Sequence, residues 1–310
     1  MIEVRDLTKR YGQKMAVDGL TFTVEPGEVT GFLGPNGAGK STTMRMIAGL
    51  DRPTAGSVRV NGVTYRTTAR PMRELGVLLD ARAAHPGRSA RNHLLALAAT
   101  NGIPARRVDE VIDRVGLRPV ARRRAGTFSL GMGQRLGIAV ALLGDPRVLV
   151  LDEPVNGLDP EGVLWVRTML QDLASQGRTV LISSHLMTEM ALTAGRLVVI
   201  GRGRLIADTT VPEFVARAEG AGVRVRTPEG QRLRQLLAGP GITVTSVHDG
   251  VLMVRGCTAD RIGQLAWQHQ LPVLELTTLE ASLEDAYMQL TRDEVEYRGG
   301  SAGTAGRVGS

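Results

Sequence analysis

Short apolar runs rich in β-branched residues alternate with stretches of helical periodicity over the first two thirds of the chain. The apolar runs lie at 28–33, 148–151 and 179–183, whereas 41–50 and 162–174 carry apolar residues at helical spacing. A strand followed by a helix, repeated along the chain, is typical of a largely parallel sheet with helices on its faces. The pattern therefore predicts an α/β fold.

The stretch between residues 90 and 143 breaks this alternation because strand signals are absent from it. Its apolar residues recur at helical spacing, at Leu94, Leu97, Ala98, Val108, Val111, Ile112 and Val115. This periodicity predicts helices. We expect a helical subdomain, inserted into the α/β core over about 82–146.

A second pattern begins after residue 211. It predicts the order βαββαβ, with strands and helices at 223–225, 232–237, 242–247, 251–254, 262–268 and 273–276. This order is expected of a small ferredoxin-like α+β domain, with Asp249-Gly250 as its hairpin turn and a closing helix over 279–290. We therefore place the domains at 1–212 and 218–297 and expect the Gly/Ser-rich residues 298–310 to be disordered.

The amino-acid composition limits where the protein is expected to be located and which partners it is expected to bind. No run reaches the roughly 18 apolar residues that cross a bilayer, and the N-terminus is charged, so we expect neither a membrane span nor a signal peptide. The lone Cys257 allows no internal disulfide, which favours a cytoplasmic protein. The net charge of +7 is spread along the chain with one local cluster, Arg122–Arg124, and nucleic acid is not expected as a partner.

Residues 34–41 fit the phosphate-loop pattern G-x-x-x-x-G-K-[ST], between an apolar strand and a helical stretch. Glycines let the backbone wrap around phosphates, and the helix directs the positive end of its dipole toward them. Lys40 is expected to neutralise the terminal phosphates and Ser41 to ligate Mg²⁺. The nucleotide-binding residues predicted here are Gly34, Asn36, Gly37, Ala38, Gly39, Lys40, Ser41 and Thr42.

Two adjacent carboxylates, Asp152 and Glu153, end the apolar run at 148–151. Because the chain turns at the end of a strand, one carboxylate can face a metal ion and the next a water molecule. Together with Lys40, the pair predicts that Asp152 holds Mg²⁺ and that Glu153 is the general base.

The segment 129–135, Ser-Leu-Gly-Met-Gly-Gln-Arg, resembles the signature of ABC ATPases. The resemblance implies that Ser129, Gly131 and Gln134 act on the ATP held by a second copy of the chain. Leu130 and Met132 stand where glycine and glutamine are usual. This form is similar to bacitracin-, lantibiotic- and daunorubicin-type drug exporter ATPases of the actinobacterial kind.

Further positions match the same family in order along residues 2–211. The resemblance implies that Tyr11 stacks on adenine beside Val17, that Asp159 lies in a loop crossing the dimer interface, and that His185 contacts the γ-phosphate as a catalytic residue. Asp80 stands where a metal-sensing glutamine is usual; it can still ligate a hard cation, but its effect on coupling to the membrane domain is left open.

Taken together, the resemblance implies a P-loop NTPase core of the ABC type that hydrolyses ATP with Mg²⁺ as a homodimer. It also implies separate transmembrane permease subunits, attachment to the inner face of the cell membrane, and export of a drug, antibiotic or peptide. Two alternatives are an ABC-type ATPase acting on ribosomes or DNA, and a nucleotide-binding regulatory subunit. The chain lacks the second cassette or long coiled coil of the first; Glu153 and His185 argue against the second, whereas Asp80 and Leu130 leave it open.

Overall fold

The protein consists of two compact units in a computed structural model that describes residues 1–216, 222–279 and 282–291. The first unit is built on Met1–Thr209 and the second on Thr210–Leu290. The tail expected at 298–310 lies outside the described residues.

The strands of the first unit form two sheets. Three antiparallel strands pair in the order β2-β1-β4, and six more in the order β5-β6-β7-β3-β8-β9. In the larger sheet, the pairs from β5 through β8 are parallel, as predicted. The strands are β1 (Ile2–Tyr11), β2 (Lys14–Val24), β3 (Val29–Leu33), β4 (Ala55–Val60), β5 (Leu75–Leu78), β6 (Val148–Leu151), β7 (Thr179–Ser183), β8 (Arg196–Gly201) and β9 (Arg204–Thr210).

Seven helices accompany these strands in the described part of the first unit. They are α1 (Lys40–Ile47), α2 (Pro71–Glu74), α3 (Ala90–Thr100), α4 (Ala105–Arg114), α5 (Leu130–Leu142), α6 (Pro160–Ser175) and α7 (Met187–Thr193). Short 3-10 turns lie at Tyr65–Thr67, Arg118–Val120 and Ala125–Thr127. Helices α3 to α5 occupy the region where strand signals are absent from the sequence. No helix among the described residues has the length and apolar character needed to span a bilayer.

The parallel strands lie in the core of this unit. Every residue of β3, β6 and β7 is buried, which explains why these strands read as continuous apolar runs instead of alternating ones. The cluster that includes Phe32, Met44 and Val150 joins strands of both sheets to α1. Each of these strands ends where its buried run ends. The polar residues of the candidate site follow directly after the strands.

Gly76 of β5 allows α5 to pack directly on the sheet. A Cβ atom at this position would lie 2.0 Å from the carbonyl oxygen of Ala141. We expect Gly76→Ala to lower the free energy of unfolding by about 1–3 kcal/mol, because the backbone must shift to relieve this overlap. Urea unfolding measures the effect. The control is Gly263→Ala, where the added atom makes an ordinary 3.5 Å contact with Leu276; equal stability of both variants would contradict the packing described.

The second unit is an antiparallel sheet with helices, in the order β11-β12-β10-β13. This is the arrangement of the predicted ferredoxin-like domain. Two boundaries are corrected. Val273, predicted as the start of the last strand, precedes that strand, which begins at Glu275. Leu279, which the sequence assigned to the closing helix, ends the strand because it pairs with Gly222. The elements are α8 (Val211–Ala216), β10 (Gly222–Arg226), α9 (Gly230–Leu237), β11 (Thr243–His248), β12 (Val251–Arg255), α10 (Ala259–Gln268), β13 (Glu275–Leu279) and α11 (Leu283–Thr291).

Candidate active site

Three neighbouring parallel strands end at the same edge of the larger sheet. In the order β6-β7-β3, they are followed by Asp152-Glu153, by His185 and by the loop of residues 34–39. The carboxyl ends of parallel strands are where open α/β sheets bind ligands, because the connecting loops converge there. The fold therefore brings together groups that lie far apart in the sequence.

The loop of residues 34–39 depends on glycine for its shape. Gly37 and Gly39 have φ angles of 82° and 103°, a region that disfavours side chains. A Cβ atom at Gly39 would also lie 2.5 Å from the carbonyl oxygen of Ala16. The turn delivers the chain directly into α1, whose first residue is Lys40.

Lys40 lies across this loop. Its ammonium donates hydrogen bonds to the carbonyl oxygens of Gly34 at 2.5 Å and Pro35 at 3.2 Å. Burial lowers the pKa of Lys40, while the charges of Glu153 and Asp152 act in the opposite direction. The two carboxylates thus lie close enough to Lys40 to influence its charge.

The other loop positions differ in accessibility. Asn36, Gly37 and Ser41 are exposed, and Thr42 is half-buried in the first turn of α1. Ala38 is buried, and its N–H donates to the carbonyl oxygen of Pro35 at 3.1 Å. Ala38 therefore contributes to the shape of the loop.

Ser41 and Asp152 meet across the cleft between α1 and β6. The Ser41 hydroxyl donates to Oδ2 of Asp152 at 2.9 Å, and the Ser183 hydroxyl donates to Oδ1. A hydroxyl beside a carboxylate is a set of hard oxygen donors of the kind that Mg²⁺ accepts. The residues present therefore fit the magnesium ion implied by the sequence pattern. Ser183 was not among the site residues predicted from the sequence.

Glu153 is held in an uncommon backbone conformation, with φ at 52°. Its N–H donates to the Ser183 hydroxyl at 3.0 Å. Its side-chain oxygen Oε2 lies 2.6 Å from Nδ1 of His185 and accepts the His185 N–H at 3.2 Å. Non-glycine residues at positive φ persist where surrounding contacts enforce them, often at functional sites. The geometry joins Glu153 and His185 into one unit.

The segment 129–135 begins α5. Ser129 is the N-cap, its hydroxyl accepting the N–H of Met132 at 3.2 Å. Gly131 faces the neighbouring loop, since a Cβ atom there would lie 2.9 Å from the carbonyl oxygen of Gly157. Gln134 is 3% exposed, and its amide donates to the carbonyl oxygen of Glu153 at 2.8 Å. Its expected action on a partner's nucleotide stays a prediction.

Asp159 and Asp80 lie near this edge of the sheet, and each carboxylate accepts a hydrogen bond from a nearby backbone N–H. Asp159 is the N-cap of α6, where its carboxylate accepts the N–H of Gly162 at 3.0 Å. Asp80 follows β5, and its carboxylate accepts the N–H of Arg82 at 2.8 Å. No bond joins Asp80 to Ser41 or Asp152 among the described residues, so its part in metal binding stays a prediction.

Tyr11 belongs to an exposed cluster at the end of β1. Its hydroxyl donates to Asp51 at 2.9 Å, and Arg45 makes two hydrogen bonds to the same carboxylate, at 2.9 and 3.2 Å. The Arg45 hydrogen bonds hold the pKa of Asp51 below its usual range. Lys9 lies over the ring, 4.8 Å from its centroid. The tyrosine ring is thereby fixed while 48% of the residue remains exposed.

Val17 was expected beside Tyr11 at the nucleotide, and that role stays a prediction. Val17 has no exposed surface and belongs to the core cluster. Its position beside Gly39, where an added Cβ would meet it at 3.2 Å, makes it a support for the loop.

A glycine-rich loop leading into a helix, with a lysine, a hydroxyl and two strand-end carboxylates, defines a P-loop nucleotide-binding protein. The profile of the ABC transporter family matches residues 17–156, and that of a domain of unknown function matches residues 221–284. The chain is 34% identical over 296 residues to the bacitracin transport ATP-binding protein BcrA of Bacillus licheniformis, covering 94% of this chain and 97% of that protein. The chain belongs to the ATP-binding proteins of the ABC transporter family.

Other relatives and solved structures agree with this assignment. The chain is 36% identical over 303 residues to the Nod factor export ATP-binding protein I of Paraburkholderia xenovorans (strain LB400), covering 95% of this chain and 98% of that protein. An ATP-binding subunit of an ABC transporter superposes with a TM-score of 0.64 at 26% identity, over 70% of this chain and 92% of that one. A dimeric cassette bound to ADP and inorganic phosphate has the same fold, with a TM-score of 0.63 at 21% identity, over 68% and 99%.

Proposed function

We propose that this chain is the ATP-hydrolysing subunit of an exporter, acting as a homodimer on separate permease chains at the inner face of the cell membrane. The observation that carries the proposal is the convergence of Lys40, the Ser41–Asp152 pair and the Glu153–His185 pair at one edge of the sheet. These are the parts that phosphoryl transfer to water requires: a cation, a metal-binding oxygen set and a base.

Ser41 and Asp152 would hold Mg²⁺, which supplies charge neutralisation at the phosphate oxygens when bound. Lys40 lies beside them at the start of α1, where it adds a second positive charge. Ser183 donates to Asp152 and fixes the carboxylate in place. These residues orient and neutralise the triphosphate, which is most of what an enzyme contributes to this reaction.

Glu153 is the proposed general base. Its carboxylate accepts the proton of the attacking water as the oxygen approaches the γ-phosphorus. The Glu153 N–H is bound by Ser183, and its carbonyl oxygen by Gln134, so the backbone at Glu153 is held from both sides. His185 binds the carboxylate through Nδ1 and its backbone N–H, which aims the base and leaves the rest of the ring for a phosphate oxygen.

The start of α5 supports a second copy as partner. Ser129 and Leu130 are exposed at this N-terminus, and α5 is a helix of 13 residues. Unpaired N–H groups and the helix dipole attract anions at such a terminus. We infer that Ser129 and Gly131 bind the terminal phosphate held by the partner, and that Asp159 lies at the same interface.

A groove beside Asp80 supports a permease contact. It has a volume of about 360 Å³ and lies between the end of β5 and helices α3 and α5. Its lining is mostly apolar and includes Leu79, Ala83, Leu136 and Val140. A concave apolar surface of this kind fits a segment of another protein. The relatives named for bacitracin transport and Nod factor export favour export, and we propose a drug, antibiotic or peptide as the substrate.

A mixing experiment tests the shared site. Lys40→Ala damages the nucleotide side and Ser129→Ala the opposing side, so each variant alone should hydrolyse little ATP. Mixed in equal amounts, they form dimers with one intact site, and hydrolysis should recover to up to about a quarter of the wild-type rate. Hydrolysis that stays at the level of the separate variants, while size-exclusion chromatography shows mixed dimers, would exclude the shared site. It would instead favour a regulatory subunit with little activity.

The Tyr11 cluster makes a separate prediction about ATP affinity. Asp51→Ala removes the acceptor that fixes the Tyr11 hydroxyl, and the loss of one hydrogen bond should raise KM for ATP about 3- to 10-fold with kcat nearly unchanged. Tyr11→Phe loses the same hydrogen bond and also keeps the ring, so it should give a similar effect, whereas Tyr11→Ala should exceed both. Steady-state kinetics separates KM from kcat. An unchanged KM in Tyr11→Ala would remove Tyr11 from the nucleotide site.

A further inference from the structure

The helical region accounts for the entire net charge of the protein. Residues 82–146 contain eleven arginines and four acidic residues, a net charge of +7, which equals that of the whole chain. The remainder is neutral, with 27 basic and 27 acidic residues. A general preference for arginine would enrich all parts of the chain alike. The charge is therefore concentrated in one part of the fold, and the expectation that it is spread along the chain is wrong.

The few acidic residues of this region are already paired. Asp109 accepts two hydrogen bonds from Arg91, and Asp113 is bound by Arg118. Glu110 and Asp145 both pair with Arg107. These pairs leave the remaining arginines of the region as an uncompensated excess of positive charge.

Four of these arginines lie on two adjacent segments, 88–91 and 121–125, which we term the basic loop pair. Backbone hydrogen bonds hold the segments together: the Ala125 N–H donates to the carbonyl oxygen of Arg88 at 2.8 Å, and the Arg91 N–H donates to that of Ala121 at 2.9 Å. Arg88, Arg122, Arg123 and Arg124 are exposed. None of the four forms an ion pair with a described residue. The fold thus displays four guanidinium groups on one rigid support.

We propose that the basic loop pair binds the phosphate groups of anionic phospholipids on the inner face of the membrane. Guanidinium groups bind phosphate oxygens in a bidentate manner, and basic clusters are attracted to anionic leaflets within about a Debye length. The proposal rests on the function proposed above, since a subunit attached to a permease lies near the headgroups.

Two other anionic partners fit these observations less well. Sequence-tolerant binding of single-stranded nucleic acid uses aromatic side chains for stacking, and neither segment of the basic loop pair contains one. An acidic protein surface presents carboxylates at fixed positions, so its partner needs charges in a matching arrangement, which neighbouring acceptors within the chain would help to hold. The four arginines have no such acceptor in the described part of the chain, so they can adjust to mobile lipid headgroups.

The test is co-sedimentation of the full chain with vesicles, without ATP. Equimolar phosphatidylglycerol and phosphatidylcholine vesicles should bind it, and pure phosphatidylcholine vesicles should not. Replacing Arg88, Arg122, Arg123 and Arg124 by glutamine should reduce binding at least about tenfold, given the contribution of each basic residue near an anionic surface. Added salt should weaken wild-type binding. ATP hydrolysis in the absence of vesicles should be the same in wild type and variant.

A matched control removes the same charge elsewhere. Arg59, Arg66, Arg70 and Arg234 are exposed and lie outside the helical region, and replacing all four by glutamine should leave most vesicle binding intact. Equal losses in both variants would show that only net charge matters and would overturn the proposal. So would stronger competition by DNA than by anionic lipid at equal phosphate concentration, or binding only to vesicles that contain the permease. A wild type that binds vesicles but never hydrolyses ATP would refute the proposed function and leave the lipid surface intact.

Discussion

Glu153→Gln should lower the rate of ATP hydrolysis about 10²- to 10⁴-fold, the usual contribution of a positioned general base. Glutamine keeps the size of the side chain and can still accept the His185 N–H, but it cannot take a proton from water. ATP binding should persist, because no predicted phosphate-binding group is removed. The variant should therefore accumulate as an ATP-bound dimer, visible by size-exclusion chromatography in ATP and Mg²⁺.

The control is Glu110→Gln, which removes an exposed carboxylate that pairs with Arg107 in α4. Exposed ion pairs contribute little to stability, about 0–1 kcal/mol, so this variant should hydrolyse ATP like wild type. Hydrolysis by Glu153→Gln within about threefold of wild type would mean that another group activates the water. An inactive Glu153→Gln that binds no ATP would indicate damage to the loop at its strained backbone instead.

Lys40→Ala should weaken ATP binding about 10- to 100-fold, the range expected for losing a charge-assisted hydrogen bond in a partly buried site. The alanine keeps the helix start, so the fold should be unaffected. Isothermal titration with ATP measures the loss directly, without dependence on the rate of hydrolysis. Thermal unfolding without nucleotide should give nearly the wild-type midpoint.

Lys40→Arg is the matched control for charge. The ammonium of Lys40 lies between the carbonyl oxygens of Gly34 and Pro35, a space suited to a compact point charge, whereas a guanidinium is planar and wider. We expect this variant to bind ATP nearly as weakly as Lys40→Ala. Wild-type affinity in Lys40→Arg would show that charge alone, and not its placement across the loop, is what the site requires.

The sequence predicted the structure best where burial restricts the types of residue that a position can hold. The bounds of β6 and β7 agree with the structure residue for residue, because a parallel strand buried on both faces is a continuous apolar run. The glycine-rich loop was predicted equally well, because the positive φ angle at Gly39 disfavours residues other than glycine. Leu279 was placed wrongly because an apolar residue between a strand and a helix fits either; its pairing with Gly222 decides the matter.

The spacing of residues along the chain did not predict contacts between distant segments. Ser183 binds Asp152 from a strand 31 residues away, and Tyr11 is fixed by Asp51 from 40 residues away. A serine at the end of a buried strand was the available signal for Ser183, because the ends of parallel strands share an edge. Gln134 was assigned to a partner's nucleotide by motif alone, and that role stays a prediction; its hydrogen bond to the backbone of Glu153 leaves no mark on the sequence.

That bond between Gln134 and Glu153 has a mechanical consequence. Gln134 belongs to α5, which lies in the helical region, and its amide holds the carbonyl oxygen of the proposed base. A rotation of α5 against the sheet would therefore disturb one of the two hydrogen bonds that hold the backbone of Glu153. We therefore expect the rate of ATP hydrolysis to depend on the position of α5 relative to the sheet.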